Sequence, residues 1–205
     1  LLVEAVAHAR AHLCLHAGVT AALSPEASTF CLELARAASR HGTRISFDIN
    51  YRASFWEGRE ADLGAVFSEI AGVSDILIGN AGNNILNGKG GNDTLIGGLG
   101  FDTFLFDTAP NTATNNDVIT DFNAADDTIQ LDSTFFALLG APGALAANLF
   151  KNLNLGAQDA DDRILYNDTT GFIMYDTNGL AAGGVIHFAT LTANPTITAA
   201  DFVVV

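Results

Sequence analysis

The apolar positions of this chain follow two rhythms. Ala27, Phe30, Cys31, Leu34, Ala35 and Ala38 recur at helical spacing and fall on one helix face. Ser24, Pro25 and Glu26 supply an N-cap, a first-turn proline and a first-turn acid. Arg36 and Arg40 suit the C-terminal end, and Gly42 stops the helix. Ile45, Phe47 and Ile49 then alternate, which predicts a strand over 44–49. Residues 60–71 read as a second helix stopped by Gly72, while 13–15 and 75–78 read as strands. Strand, helix, strand, helix, strand predicts an α/β layer with a parallel sheet.

From residue 75 the rhythm changes to nine. Leu77, Leu86, Leu95 and Phe104 are nine apart, and so are Asp75, Asn84, Asp93 and Asp102. Gly79, Gly88 and Gly97 keep the same step, as do Gly82, Gly91 and Gly100. Three consecutive units, 79–87, 88–96 and 97–105, share the pattern G-G-x-G-x-D-x-U-x, where U is a large apolar residue. Asn80, Lys89 and Asn84 are the departures from it. A flexible linker has no reason to keep an apolar residue at every ninth place.

Each part of the unit has a physical task. Glycines allow positive φ and tight turns whose carbonyls point inward. The Asp adds carboxylate oxygens beside those carbonyls, and the apolar residue two places on sits on a short strand facing the interior. Hard oxygens in a flexible cage suit Ca²⁺. Two units make one coil of a parallel β-roll, so residues 18 apart stack. Asp75 then meets Asp93, and Asn84 meets Asp102. The first pair carries two charges and is the better expected site; the second carries one and is the weaker.

Further on, alternation predicts strands at 102–106, 117–122, 126–131 and 185–189, and a hairpin over 163–176 turning at Thr170-Gly171. The last residues, Asp201-Phe202-Val203-Val204-Val205, read as an edge strand. Chain organisation is therefore expected as 1–73, 74–107 and 108–205. No stretch of 18 uninterrupted apolar residues predicts a membrane span.

Composition sharpens the division. The 205-residue chain has a formal charge of −14. Residues 74–205 carry fifteen acids, all Asp, against three bases, whereas 1–73 carry eight acids and six bases. So acidic a chain is excluded as a binder of nucleic acid or of an anionic membrane. Binding cations is one use that fits its charge. Cys14 and Cys31 fall on apolar runs and are expected as buried free thiols. His8, His12 and His16 are four apart, but the strand at 13–15 breaks the helical face a metal would need. His187 is expected to be a satisfied strand histidine. Asp126-Asp127 and Asp159, Asp161 and Asp162 are expected as solvated acidic turns.

Two resemblances follow from these residues. Gly18-Val19-Thr20-Ala21-Ala22-Leu23-Ser24, the string Asp48-Ile49-Asn50-Tyr51-Arg52, and Phe55-Trp56 resemble part of a ribokinase-like (PfkB) sugar kinase, nearest the 2-keto-3-deoxygluconate kinases. The resemblance covers about residues 1–80 and implies a partial three-layer α/β fold. It also implies a site for an acidic sugar at Asn50 and Arg52. The family's late G-A-G-D motif has no counterpart here, so this segment is expected to lack the phosphate cradle and the base that phosphoryl transfer needs.

The nonapeptides resemble the RTX (repeats-in-toxin) calcium β-roll of proteins exported by bacterial type I secretion. That resemblance implies an all-β roll holding Ca²⁺ and an extracellular location. It also implies an uncleaved C-terminal export signal, to which 201–205 is similar, read by the type I secretion machinery. The chain opens Leu1-Leu2-Val3-Glu4 without a basic and apolar secretory leader, as that route of export expects.

Overall fold

The computed structural model describes residues 13–15, 25–40, 43, 45–48 and 75–205. Asn50 and Arg52, the three N-terminal histidines and the helix expected over 60–71 lie outside the described residues. Strand β1 (Leu13–Leu15), helix α1 (Pro25–Arg40) and strand β2 (Ile45–Asp48) come first. β1 and β2 pair in parallel, with Leu13 opposite Ile45, and α1 packs against both. The helix buries Cys31, Ala35, Ala37 and Ala38 and leaves Phe30 exposed. Cys31 is a buried free thiol, as its place on the apolar face predicts. Burial pushes that thiol's pKa up.

The roll then begins. β3 (Ile76–Asn80), β4 (Ile85–Leu86), β5 (Thr94–Gly98), β6 (Thr103–Phe106), β7 (Asp117–Ile119) and β8 (Thr128–Leu131) pass alternately between two sheets. Two short strands follow, β9 (Gly143–Ala144) and β10 (Phe150–Asn152). β11 (Ile164–Asn167) and β12 (Phe172–Asp176) form the expected antiparallel hairpin, with Gly171 at φ 75° in its turn. β13 (Val185–Leu191) and β14 (Phe202–Val204) complete the chain.

Sheet order explains how the pieces join. The larger sheet runs β1-β2-β3-β5-β7-β13-β12-β11-β10, and the smaller β4-β6-β8-β14-β9. β2 pairs in parallel with β3, Ile76 opposite Ser46, so the N-terminal strands continue the roll sheet directly. The break in composition near residue 74 is therefore not a break in the sheet. β13 returns beside β7 and β14 beside β8, both in parallel, which adds one more coil.

The core is a pair of apolar columns. Leu77, Leu95, Ile119 and Leu191 stack in one sheet, and Leu86, Phe104, Ile129 and Phe202 in the other. All eight are fully buried. Inward and outward positions alternate along β3, β5, β6, β7 and β8, so a one-residue slip would turn this column to solvent. Phe106, Phe136, Tyr175 and Phe188 extend the core beyond the columns through edge-to-face ring contacts.

The last strand corrects an expectation. β14 lies between β8 and β9, so it is an interior strand and not an edge. Phe202 and Val204 point into the core, and the side chains of Thr198 and Asp201 form a reciprocal cap on the short turn before it.

Candidate metal centre

Each turn of the roll brings its Asp to the start of an inward-facing strand. The register sets Asp75 beside Asp93 in the larger sheet and Asn84 beside Asp102 in the smaller, so both expected pairs are brought together. Each stack gains a third member that the nine-residue step does not reach. Asp117 follows Asp93, and Asp127 follows Asp102. The triplet D-x-U was the available signal: Asp117-Val118-Ile119 and Asp127-Thr128-Ile129 repeat Asp93-Thr94-Leu95. Longer turns, 107–116 and 120–126, had changed the interval and hidden it.

One hydrogen bond recurs along both stacks: a carboxylate accepts the amide N–H of the coil before it. Asp117 Oδ1 accepts from Asp93 N at 3.0 Å, Asp102 Oδ1 from Asn84 N at 2.8 Å, and Asp127 Oδ1 from Asp102 N at 2.9 Å. Asp75 Oδ2 does the same for Ile45 N at 2.7 Å, so β2 takes the place of a preceding coil. Asn84 Oδ1 instead accepts from Asn80 N within its own turn. Asp121 bridges two amides at once, Gly97 N at 2.9 Å and Gly98 N at 2.8 Å.

These bonds leave specific oxygens over. Asp93 is 5% exposed and Asp102 1%, yet Oδ2 of each has no hydrogen-bond partner. A buried carboxylate oxygen without a partner is expensive. The cost shows in the proton affinities. Burial, then the charges of Asp117 and Asp75, push the Asp93 carboxyl up to about 8. Burial pushes Asp117 up to about 7, against the opposing effect of the Asp93 amide. Asp102 is also raised, chiefly by burial.

The glycines make room for these oxygens. A Cβ on Gly88 would lie 2.7 Å from Asp93 Oδ2 and 3.1 Å from Asp117 Oδ2, and one on Gly97 would lie 2.5 Å from Asp102 Oδ2. A Cβ on Gly79 would meet Asn84 Oδ1 at 2.5 Å, and one on Gly82 would meet Asn80 Oδ1 at 3.1 Å. Gly91 and Gly100 hold φ of 138° and 126°, which a side chain rarely adopts. Lys89, in a glycine position, still takes φ 66°, and its ammonium pairs with Asp107 at 2.6 Å.

The donor set fits Ca²⁺: hard oxygens only, buried, with Oδ2 of Asp93 and of Asp102 left without a hydrogen-bond partner beside glycine turns. Among the described residues no three His, Cys, Asp or Glu side chains form a ready-made cage. An ion here would therefore take part of its shell from backbone carbonyls. Other acidic groups are committed to local turns. Asp126 accepts from Asn123 Nδ2, and Asp162 from Asp159 N. His187 is satisfied, with Nδ1 3.1 Å from Asn116 Nδ2 and Nε2 2.9 Å from the Ala189 carbonyl.

Residues 72–104 match the family described as the RTX calcium-binding nonapeptide repeat (4 copies). That segment is a set of RTX repeats, and Ca²⁺ is the ion such repeats bind. Among solved structures, the chain is similar to the solution structure of the AlgE6R3 subunit from the Azotobacter vinelandii mannuronan C5-epimerase. The identity is 26% and the TM-score 0.38, over 62% of this chain and 66% of that one. Neither likeness is to a sugar kinase. Among the described residues no helix is long and apolar enough to cross a membrane.

Proposed function

We propose that this chain is a Ca²⁺-driven folding module of an exported protein. One observation carries the reading: two stacks of Asp at the coil starts, each holding a buried carboxylate oxygen without a partner, at Asp93 and Asp102. Without a cation, these acids repel one another and the glycine-rich turns are costly to order. A bound Ca²⁺ supplies positive charge and accepts the orphaned oxygens, so its binding free energy becomes folding free energy.

The chain's own residues do the rest. The glycines let the turns approach closely, the apolar columns zip the coils together, and Asp117, Asp121 and Asp127 pin each turn to the coil before it. Inside a cell, scarce Ca²⁺ leaves the repeats unfolded and fit for threading; outside, millimolar Ca²⁺ folds them. The C-terminal strand supports this order of events. Phe202 and Val204 are buried between β8 and β9, so a signal at 201–205 must be read by the type I secretion machinery before the roll closes. Residues 1–73 supply, through β2, a first neighbour for β3, which covers an edge that would otherwise be open.

The test is far-ultraviolet circular dichroism of the full chain, titrated from EDTA to about 10 mM Ca²⁺, the range over which extracellular modules respond. A cooperative gain of β signal is expected. A spectrum that is unchanged by Ca²⁺ would sink the reading.

A further inference from the structure

We propose that the groove between β10 and the turn 196–200 binds a small apolar carboxylate, with the Lys151 ammonium as the group that holds the anion. The site uses no residue of the metal centre, so it stands or falls apart from the Ca²⁺ reading.

Shape is the first observation. β10 is the outermost strand of the larger sheet, so no further strand among the described residues covers its outer side. The groove there measures about 480 Å³, within the range of about 300–1,000 Å³ that small-molecule sites occupy. Ala147, Phe150, Leu155, Ile197 and Ala199 give it an apolar lining. Both walls are held in place. The Phe150 ring rests on the buried Phe202, and the reciprocal cap of Thr198 and Asp201 fixes the turn opposite. Little ordering is therefore needed on binding. Leu155 is 80% exposed, so a ligand would cover apolar surface that now faces water.

Charge is the second. No carboxylate lines the groove, and Lys151 is its one charged group. The two acids bonded to lining residues, Asp168 on Asn152 and Asp201 on Thr198, do not themselves line it. Residues 74–205 hold fifteen acids and three bases, and the other two bases are committed. Lys89 pairs with Asp107, and Arg163 donates to the carbonyls of Ala160 and Asp162. Lys151 has no ion-pair partner among the described residues, although acids outnumber bases fivefold. A Cβ on Gly156 would lie 3.5 Å from its Nζ, so the ammonium rests against a turn with no side chain to screen it.

Together these features select the ligand. An apolar body fits the lining, and one anionic end meets the ammonium through charge-assisted hydrogen bonds. The formal charge of −14 repels a polyanion, which limits the anionic part to a single group.

The test is calorimetric titration of the full chain in saturating Ca²⁺ with phenylbutyrate, and with phenylbutanol as the uncharged analogue of the same body. Phenylbutyrate is expected to bind saturably at one site, about tenfold more tightly than the alcohol. Lys151→Met keeps the apolar stem and removes the charge. It is expected to lose that tenfold preference, to bind the alcohol as before, and to melt with the unaltered chain. Lys151→Gln is expected to do the same and decides the matter if Lys151→Met folds poorly. Leu155→Ser, at an exposed position, is expected to weaken both probes. Absence of saturable phenylbutyrate binding overturns the proposal. So does an undiminished affinity in both Lys151 variants, an alcohol bound as tightly as the carboxylate, or a Leu155→Ser chain that binds both probes unchanged. A dimer of the unaltered chain in native mass spectrometry, dissociated by phenylbutyrate and by Leu155→Ser, would give the groove to a second copy and overturn the proposal as well.

Discussion

The amide of Asp93 donates to Oδ1 of Asp117 at 3.0 Å, across 24 residues of chain. The same bond joins Asn84 to Asp102 across 18 and Asp102 to Asp127 across 25. The coil contact is conserved in geometry while the turn length varies. Each Asp is therefore both a brace for the coil before it and a source of charge that the fold must neutralise.

Protonation should partly replace Ca²⁺. The folded carboxyls of Asp93 and Asp117 sit near 8 and 7, above their ordinary value of 3.8. Folding without metal therefore takes up protons. The stabilisation is complete below about pH 4 and is lost as pH rises through 7 to 8. In EDTA, the melting temperature and β signal are expected to rise between pH 8 and pH 5. In saturating Ca²⁺ that dependence should flatten, and Ca²⁺ binding should release protons, measurable by calorimetry in buffers of different ionisation enthalpy. A Ca²⁺-free fold that weakens steadily from pH 8 to pH 5 would contradict the assignment of these shifts.

Asp93 and Lys89 should differ sharply on substitution. Asp93→Ala removes the member of its stack that neighbours both Asp75 and Asp117, and should raise the Ca²⁺ midpoint by about tenfold or more, the equivalent of about 1.4 kcal/mol. Lys89→Gly restores the repeat glycine at a position already held at φ 66°. It also removes a partly exposed ion pair, whose value is about 0–1 kcal/mol. These effects oppose one another, so a shift of less than about threefold is expected. Equal midpoint shifts in the two Ca²⁺ titrations would refute this ranking.

The helix was legible because Ala27 to Ala38 repeat at one spacing, and the coils because Leu77 to Phe104 repeat at another. Both signals are local. Two features were not legible, for a common reason. Asp117 and Asp127 join the stacks after turns whose lengths carry no period. β14 is interior only because β9, two residues at Gly143–Ala144 with no strand pattern of their own, pairs with its outer side. The parallel sheet read from strands at 44–49 and 75–78 is present as the pairing of β2 with β3, although composition changes between them. The kinase-like positions Asn50 and Arg52 fall outside the described residues, so the resemblance there stands as a reading of sequence.

The repeat glycines should separate from the ornamental one. Gly97→Ala would bring a Cβ within 2.5 Å of Asp102 Oδ2 and 3.1 Å of the Phe104 ring, squeezing a carboxylate and a core side chain together. Overpacking of this kind costs about 1–3 kcal/mol. Gly90, which the nine-residue pattern does not require, has no atom within 4 Å of its would-be Cβ. Gly90→Ala should be neutral in thermal melts with Ca²⁺, while Gly97→Ala should melt well below the unaltered chain.

The final coil should matter as much as the repeats. Phe202 stacks on Ile129 in parallel register and touches the Phe150 ring, with centroids 5.7 Å apart. It is fully buried and closes the column that begins at Leu86. Phe202→Ala should cost about 3–5 kcal/mol, as for other enclosed aromatic residues. Because the coils are stacked, the loss should not stay local: β8 loses its outer neighbour and the smaller sheet opens toward its centre. The measurement is thermal unfolding in saturating Ca²⁺, read at the β signal. The same substitution at Phe101, which is exposed, removes a ring of similar size from solvent and should leave the melt unchanged. Similar melting temperatures for the two variants would mean that the roll is closed elsewhere than at β14.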